Sequence, residues 1–305
     1  MSAARFAGVA KTGRMRIHLV DGTYELFRSY FGAPPKRAKD GREVGATLGL
    51  LRSIHALLAT PGTTHVACAF DHVVESFRND LYPGYKTGDG IDPDLLSQFP
   101  LAEEAMSALG VVVWPMVEFE ADDALATGVA RWKSAPGVEQ VVICSPDKDL
   151  TQMVAGGLVV CWDRRRDIVL DEDGVVAKFG VRPHSIPDWL ALVGDASDGY
   201  PGIPGWGAKS AAAVLARFDH IENIPSDVAK WGLPAGRAAR LAESLVEHRE
   251  ELLLYRRLAT LREDVPLSEE LADLEWRGAR AELEGLCRAW DDEDFLRRVA
   301  RWRTA

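Results

Sequence analysis

The feature that most constrains this fold is a series of apolar runs that end in aspartate and alternate with helix-like stretches. MRIHLVD and THVACAFD end at Asp21 and Asp71, and EQVVICSPD ends at Asp147. Amphipathic stretches such as GATLGLLRSIHALLA lie between them. Short apolar strands separated by helices are typical of a parallel sheet covered by helices. We therefore predict an α/β fold for the first half of the chain.

The second half has a different pattern. From Ile186 onward the apolar positions follow a helical period, with breaks at glycine and proline. We predict an α/β domain over residues 15–185 and a helical region over residues 186–305. The last helix, DEDFLRRVARW, is amphipathic and is expected to pack back on the body. Residues 1–14 are predicted to be a disordered tail, and the sequence leaves open whether Met1 or Met15 is the true start.

Composition excludes several classes of protein. The chain has 305 residues, and no run of about 18 apolar residues could span a membrane. Its N-terminal residues lack the apolar segment of a signal peptide. The four cysteines are isolated, which favours buried, reduced thiols in a cytoplasmic protein.

Acidic residues recur where the predicted strands end. Taken alone, Asp21 or Asp71 is better interpreted as a turn residue or helix N-cap, EADD as a complement to a helix dipole, and DKD as a solvated turn. In an open parallel sheet, however, the carboxyl ends of the strands share one edge, where ligands bind. We expect seven carboxylates to converge there, and two more if the helical region docks at that edge. The nine residues are Asp21, Asp71, Glu120, Asp122, Asp123, Asp147, Asp149, Asp195 and Asp198.

So many carboxylates at one place would require cations. Two carboxylates 4 Å apart repel by about 4 kcal/mol at an effective dielectric near 20. Ligand sets made of oxygen, without His or Cys, favour Mg²⁺ or Mn²⁺. Two such ions about 4 Å apart are a common device for cleaving phosphodiesters. The sequence therefore predicts a centre for two or more divalent ions.

A glycine-rich hairpin, Gly202 to Lys209 in GIPGWGAK, directly follows the last two acids. Loops of this kind expose backbone N–H groups to phosphate. Metal bound by Asp195 and Asp198 would attract the same phosphate that the hairpin grips. The net charge of −10 is then no objection to DNA binding, because the other residues sum to only −1 without the nine acids.

Five motifs in order resemble the 5′-nuclease family of bacterial 5′–3′ exonucleases, flap endonucleases and the nuclease domain of DNA polymerase I. They are LVDGTYELFRSY, AFDHVVESFRNDLYPGYK, FEADDALAT, SPDKDLTQMV and LVGDASDGYPGIPGWGAKSAA. The similarity runs from Met15 to Val299. It implies a PIN-like α/β body and a helical DNA-binding element, the helix–three-turn–helix, which contains a helix-hairpin-helix.

The resemblance also implies residue roles. The nine acids would bind metal, and Lys86 and Arg78 would contact the scissile phosphate, although each alone reads as a solvated surface charge. The hairpin residues Gly202, Gly205, Gly207 and Lys209 would bind duplex DNA, and many relatives hold K⁺ there. The implied substrate is DNA with 5′ ends, flaps or nicks, cut in replication or repair. We expect a monomer that works beside a DNA polymerase and a ligase.

Three departures from the family pattern bear on this assignment. Gly199 replaces an asparagine, Pro146 replaces a glycine, and Asp89 replaces an arginine common in relatives. The last change predicts a weak grip on single strands. Two alternatives stay open at this point: a catalytically weak or inactive protein that binds branched DNA, and a PIN-type ribonuclease.

Overall fold

The computed structural model describes residues 15–304, which form two compact units. The sheet unit contains residues 15–74, 88–145 and 263–304, and the helical unit contains residues 75–87 and 146–262. Because both units combine separate stretches of chain, they do not test the predicted division at residue 185. The predicted tail, residues 1–14, lies outside the described residues.

Four parallel strands form the centre of the sheet unit, in the order β3-β2-β1-β4. Their apolar side chains are buried almost throughout, as expected for strands covered on both faces. The strands are β1 (Met15–Asp21), β2 (His65–Asp71), β3 (Val112–Met116) and β4 (Val138–Cys144). The predicted parallel α/β arrangement is observed.

Helices of the sheet unit pack closely because glycines allow short approaches. A Cβ on Gly22 would lie 2.5 Å from the Phe70 ring, so α1 can begin directly beside β2. A Cβ on Gly49 would lie 2.9 Å from the Cβ of Ser29, which brings α2 against α1. The helices are α1 (Gly22–Gly32), α2 (Gly45–Leu58), α4 (Pro93–Leu96), α5 (Phe99–Ala108), α6 (Ala121–Trp132), α12 (Glu282–Ala289) and α13 (Glu293–Leu296).

The helical unit is built mainly from short helices, with α8 packed against α9 and α11. Its helices are α3 (Phe77–Leu81), α7 (Glu172–Phe179), α8 (Ile186–Val193), α9 (Ala208–Phe218), α10 (Ala235–Glu247) and α11 (Arg249–Ala259). It also contains an antiparallel pair of strands, β5 (Val159–Asp163) and β6 (Ile168–Leu170). The sequence analysis did not predict β6.

The predicted C-terminal helix is wrong in extent. Only Glu293–Leu296 is helical. The last residues form backbone hydrogen bonds with Ala279 instead of continuing the helix. Ala279 N–H donates to the carbonyl of Arg301, and Arg303 N–H donates to the carbonyl of Ala279. Across residues 15–304, no helix has the length and apolar character needed to cross a membrane.

Candidate metal centre and DNA-binding hairpin

Asp21 is both the last residue of β1 and the N-cap of α1. Its Oδ1 accepts a hydrogen bond from the N–H of Tyr24, at 2.8 Å. Its Oδ2 accepts one from the hydroxyl of Ser145, also at 2.8 Å, which directly follows β4. Two elements of the sheet unit therefore fix this carboxylate at the carboxyl edge of the strands.

Asp71 ends the neighbouring strand β2. Its N–H donates to Thr23 Oγ1 at 2.8 Å, and its Oδ1 accepts from the N–H of Ala121, the first residue of α6, at 2.8 Å. The carboxylate thus contacts the start of the helix that carries the EADD motif. The structure brings together Asp71 and the beginning of α6 at the sheet edge that Asp21 occupies.

The EADD motif has a structural role at the start of α6. Glu120 is the N-cap, and the Oδ2 of Asp123 accepts its N–H at 3.0 Å in a capping box. Asp123 is fully buried, Glu120 is buried and Asp122 is half-buried. Glu120 and Asp123 therefore cap α6.

The other four predicted metal ligands belong to the helical unit. Asp149, Asp195 and Asp198 each offer a carboxylate oxygen, and these oxygens lie within 4.8 Å of one another. We call these three residues the acid cluster. Asp147 lies beside it, because its Oδ1 accepts the N–H of Asp149 at 2.8 Å. Among residues 15–304, the three residues of the acid cluster have carboxylate oxygens close enough together to bind a single cation.

Asp149 shows that the acid cluster fits a metal ion. Its side chain is buried, and its Oδ1 has no hydrogen-bond partner. Burial raises the pKa of Asp149 well above its usual value, and the charges of Asp147 and Asp198 raise it further. A buried carboxylate oxygen without a donor is costly unless a cation satisfies it. Hard divalent ions are the cations that such oxygens select.

Two lysines contact the acid cluster. Lys86 Nζ lies 3.3 Å from Asp198 Oδ1. Lys148 Nζ forms a short ion pair with Asp195 Oδ2 and lies 3.8 Å from Asp149 Oδ1. The sequence analysis predicted Lys86 but missed Lys148, although the SPDKDL motif places it between two of the predicted ligands.

The chain segment that carries Lys86 packs against Asp198 and Gly199. The N–H of Lys86 donates to the carbonyl of Asp198 at 3.0 Å, and Tyr85 Oη donates to Asp198 Oδ2 at 3.2 Å. Gly199 has φ +88°, and a Cβ there would lie 2.2 Å from the carbonyl oxygen of Gly84. This approach leaves no room for a side chain at position 199.

Arg78 is 1% exposed, so its interpretation as a solvated surface charge is wrong. Its Nε donates to the carbonyl of Leu258 at 2.8 Å, and an Nη donates to Thr260 at 3.3 Å. These carbonyls belong to the end of α11, where cationic donors are favourable. The guanidinium therefore links α3 to α11. Its predicted contact with phosphate remains a prediction.

The glycine-rich hairpin is held by backbone contacts within the helical unit. Gly202 is buried with φ +74°, and a Cβ there would lie 2.4 Å from the N of Gly194. Trp206 is buried and its Nε1 donates to the carbonyl of Leu241 on α10, at 3.3 Å. Gly205 and Lys209 are exposed, and Gly207 is half-exposed at the N-cap of α9. The exposed pair is therefore available to a ligand, whereas Gly202 serves packing.

The acidic segment after Lys86 is ordered over its last residues. Asp92 caps α4 by accepting the N–H of Asp94, and Asp94 pairs with Arg37 at 2.9 Å. Asp89 is exposed. Asp92 and Asp94 therefore have structural roles in the sheet unit.

Two domain profiles match successive parts of the chain. The N-terminal, resolvase-like domain of 5′-3′ exonucleases matches residues 16–180, and their C-terminal SAM fold matches residues 181–282. The chain belongs to the 5′–3′ exonuclease family. The membership that the five motifs predicted is thereby confirmed.

The similar proteins include exonucleases of comparable length and much longer DNA polymerases. The 5′-3′ exonuclease of Aquifex aeolicus is 34% identical over 83% of this chain and 85% of its own length. DNA polymerase I of Bacillus caldotenax is 31% identical over 94% of this chain but only 32% of its own length. The chain thus spans about a third of that polymerase.

Solved structures of other nucleases have a fold similar to that of this chain. The zinc-bound 5′-exonuclease of phage T5 has a TM-score of 0.64 at 18% identity, covering 80% of this chain and 89% of that one. The catalytic core of Rad2 with a DNA substrate has a TM-score of 0.57 at 15% identity, covering 95% and 93%. At these identities the likeness shows the fold alone, and it confirms the predicted PIN-like α/β body with a helical element.

Proposed function

We propose that this chain is a metal-dependent 5′ nuclease that cleaves DNA phosphodiesters at 5′ ends, flaps and nicks. The observation that carries the proposal is the acid cluster, where three carboxylate oxygens lie within 4.8 Å and the buried Oδ1 of Asp149 has no hydrogen-bond partner. Membership of the 5′–3′ exonuclease family supports the reaction class. Proteins of similar fold include a zinc-bound 5′-exonuclease and a Rad2 catalytic core in complex with a DNA substrate.

The residues would divide the work as follows. Asp149, Asp195, Asp198 and Asp147 would hold divalent metal, Mg²⁺ or Mn²⁺, in the helical unit. That the five acids of the sheet unit also bind metal stays a prediction. Bound metal supplies a Lewis acid and an activated water for phosphodiester hydrolysis.

Lys86 is the better placed of the two predicted phosphate contacts. Its side chain is partly exposed, and its Nζ lies 3.3 Å from a carboxylate of the acid cluster, so it can stabilise charge on a phosphate brought there. Arg78 would act on phosphate only if its guanidinium left the carbonyls it now binds.

The hairpin would grip the duplex. Exposed Lys209 lies in the first turn of α9 and exposed Gly205 just before its N-cap, where backbone N–H groups and a cation favour a phosphate. K⁺ held by backbone carbonyls there is part of this proposal. The boundary at residue 185, a monomeric state, a cytoplasmic location and joint work with a polymerase and a ligase also stay predictions.

A side-by-side cleavage assay tests the function. Labelled 5′-flap, nicked, gapped and single-stranded DNA, with RNA of the same sequence, are incubated with Mg²⁺ or Mn²⁺ or with chelator. We expect metal-dependent cleavage of DNA with a free 5′ end. Binding of flaps without cleavage would indicate the inactive DNA binder, and faster cleavage of RNA would indicate the ribonuclease.

A further inference from the structure

Lys148 lies within the acid cluster rather than at its margin. Its Nζ pairs with Asp195 Oδ2 and lies 3.8 Å from Asp149 Oδ1, so it contacts two of the three clustered carboxylates. A distance of 3.8 Å is too long for a hydrogen bond, which agrees with the lack of a donor to that oxygen. The ammonium therefore offsets the charge of Asp149 without satisfying it.

The ammonium group is charged at neutral pH. Burial acts to lower its pKa, but the carboxylates of Asp149, Asp195 and Asp147 outweigh burial, and the pKa of Lys148 is raised. The Lys148 ammonium, like that of Lys86 beside Asp198, thus faces several negative charges. It reduces their mutual repulsion and leaves the group net negative.

We propose that Lys148 is a built-in counter-cation that competes with divalent metal for Asp149 and Asp195 and so sets the metal affinity of the acid cluster. This inference rests on the proposed role of the cluster as a metal centre. A divalent ion that binds these oxygens must displace the ammonium or tolerate it nearby. The four-carbon stem of lysine allows displacement, and three rotatable donors can find other partners. The metal-free protein is stabilised by the same contact that metal has to break.

Titration of the full chain with Mn²⁺ tests the proposal, by calorimetry and by the rise in melting temperature. Lys148→Met keeps most of the side-chain volume and removes the charge. We expect it to bind Mn²⁺ about tenfold more tightly, because a unit charge about 4 Å from a divalent ion opposes binding even at the dielectric of water. Its melting temperature without metal should fall, and its metal-induced rise should grow.

A second variant changes affinity in the opposite direction. Lys148→Arg keeps the charge in a planar group that pairs with carboxylates through two hydrogen bonds, so Mn²⁺ should bind more weakly than in the wild type. Lys230→Met is the matched control, since Lys230 is an exposed lysine of the same unit, 3.8 Å from Asp227. It should leave Mn²⁺ affinity unchanged.

The outcomes separate the proposal from a purely structural role. If Lys148→Met is destabilised without metal but binds Mn²⁺ no more tightly, Lys148 merely holds its loop and the proposal is overturned. Should that variant not fold, an unchanged Mn²⁺ affinity in Lys148→Arg overturns it equally. If the wild type itself binds no Mn²⁺, the proposed metal centre fails first, which is visible before any variant is compared.

Discussion

Replacing Asp149 by asparagine tests whether the acid cluster is strained by its own charge. The side chain is 7% exposed, and its Oδ1 has no hydrogen-bond partner. Burial and the neighbouring acids Asp147, Asp198 and Asp195 favour its neutral form. Asparagine has the same shape and carries no charge, so the metal-free protein should gain stability.

The size of the gain follows from the geometry. At an effective dielectric near 20, two carboxylates about 5 Å apart repel by about 3 kcal/mol. Asp149 has three acidic neighbours, and Lys148, at 3.8 Å, offsets about one of them. A new amide that is left without partners costs about 1–3 kcal/mol. The two remaining neighbours contribute about 6 kcal/mol, so we expect a net gain of about 3–5 kcal/mol, a rise of roughly 6–20 °C in melting temperature for a chain of this size.

The assay is a thermal melt in chelator and in millimolar Mg²⁺ or Mn²⁺. Metal should raise the melting temperature of the wild type, because it binds only the folded state. Asp149→Asn should start higher, gain little from metal and cleave DNA at least about 10²-fold more slowly. Asp173→Asn, an exposed acid in the same unit, should behave like the wild type.

The pH dependence of the gain has a definite sign. The pKa of Asp149 is raised in the folded state, so its charge destabilises the fold above that pKa and has no effect below the unfolded value, about 3.9. The advantage of Asp149→Asn should therefore be full above the raised folded-state pKa of Asp149 and shrink as the pH falls from there toward about 4. A lower metal-free melting temperature in Asp149→Asn, with the metal-induced rise intact, would refute the reasoning.

Four further outcomes follow from the structure. Gly205→Val or Lys209→Ala should weaken binding to all duplex sequences alike in gel-shift titrations, since backbone contacts carry no base information; an effect limited to one sequence would contradict this. Asp89→Arg should tighten long-flap binding and steepen its salt dependence between 50 and 200 mM, with little change on a blunt nicked substrate, whereas parallel salt curves would place the segment off the strand. Arg78→Met should lower the free energy of unfolding in urea by about 3 kcal/mol, because buried carbonyls lose a charged donor; equal stability would show that this link carries no load. Gly199→Ala should cost about 1–3 kcal/mol, since its φ is +88° and the Cβ would meet a carbonyl oxygen at 2.2 Å, and an unchanged urea midpoint would argue against that strain.

The strand-end acids were predictable because local signals agree at each of them. An apolar run that closes with aspartate marks both the end of a buried strand and the start of a helix. Asp21 fulfils both, since it ends β1 and caps α1. The order of the motifs then identified the family, which composition and periodicity alone do not provide.

Other features were not predictable because their causes lie far away in the sequence. Nothing in ESFRNDL indicates that Arg78 will meet the carbonyl of Leu258, 180 residues later. The apolar residues of DEDFLRRVARW follow a helical period, but the helix ends at Leu296 and later residues form backbone hydrogen bonds with Ala279. In both cases tertiary partners for buried backbone groups overrode the local pattern.

The position of the acid cluster next to the hairpin has a mechanical consequence. The loop that follows α8 is closed by hydrogen bonds from Asp195 N–H to the carbonyl of Tyr200, at 2.8 Å, and from Ile203 N–H to that of Leu192, at 2.9 Å. The tight packing of Gly202 against Gly194 leaves no room for a side chain between the two ends. One rigid loop therefore carries a clustered carboxylate at its start and leads directly into the hairpin. Under the proposed function, a duplex held by the hairpin is placed at a fixed distance from the metal ligands, because the loop has little freedom to change it. Under the same proposal, the aspartates stand beside the hairpin because one short stretch of chain can then both hold the DNA backbone and fix where it meets the metal.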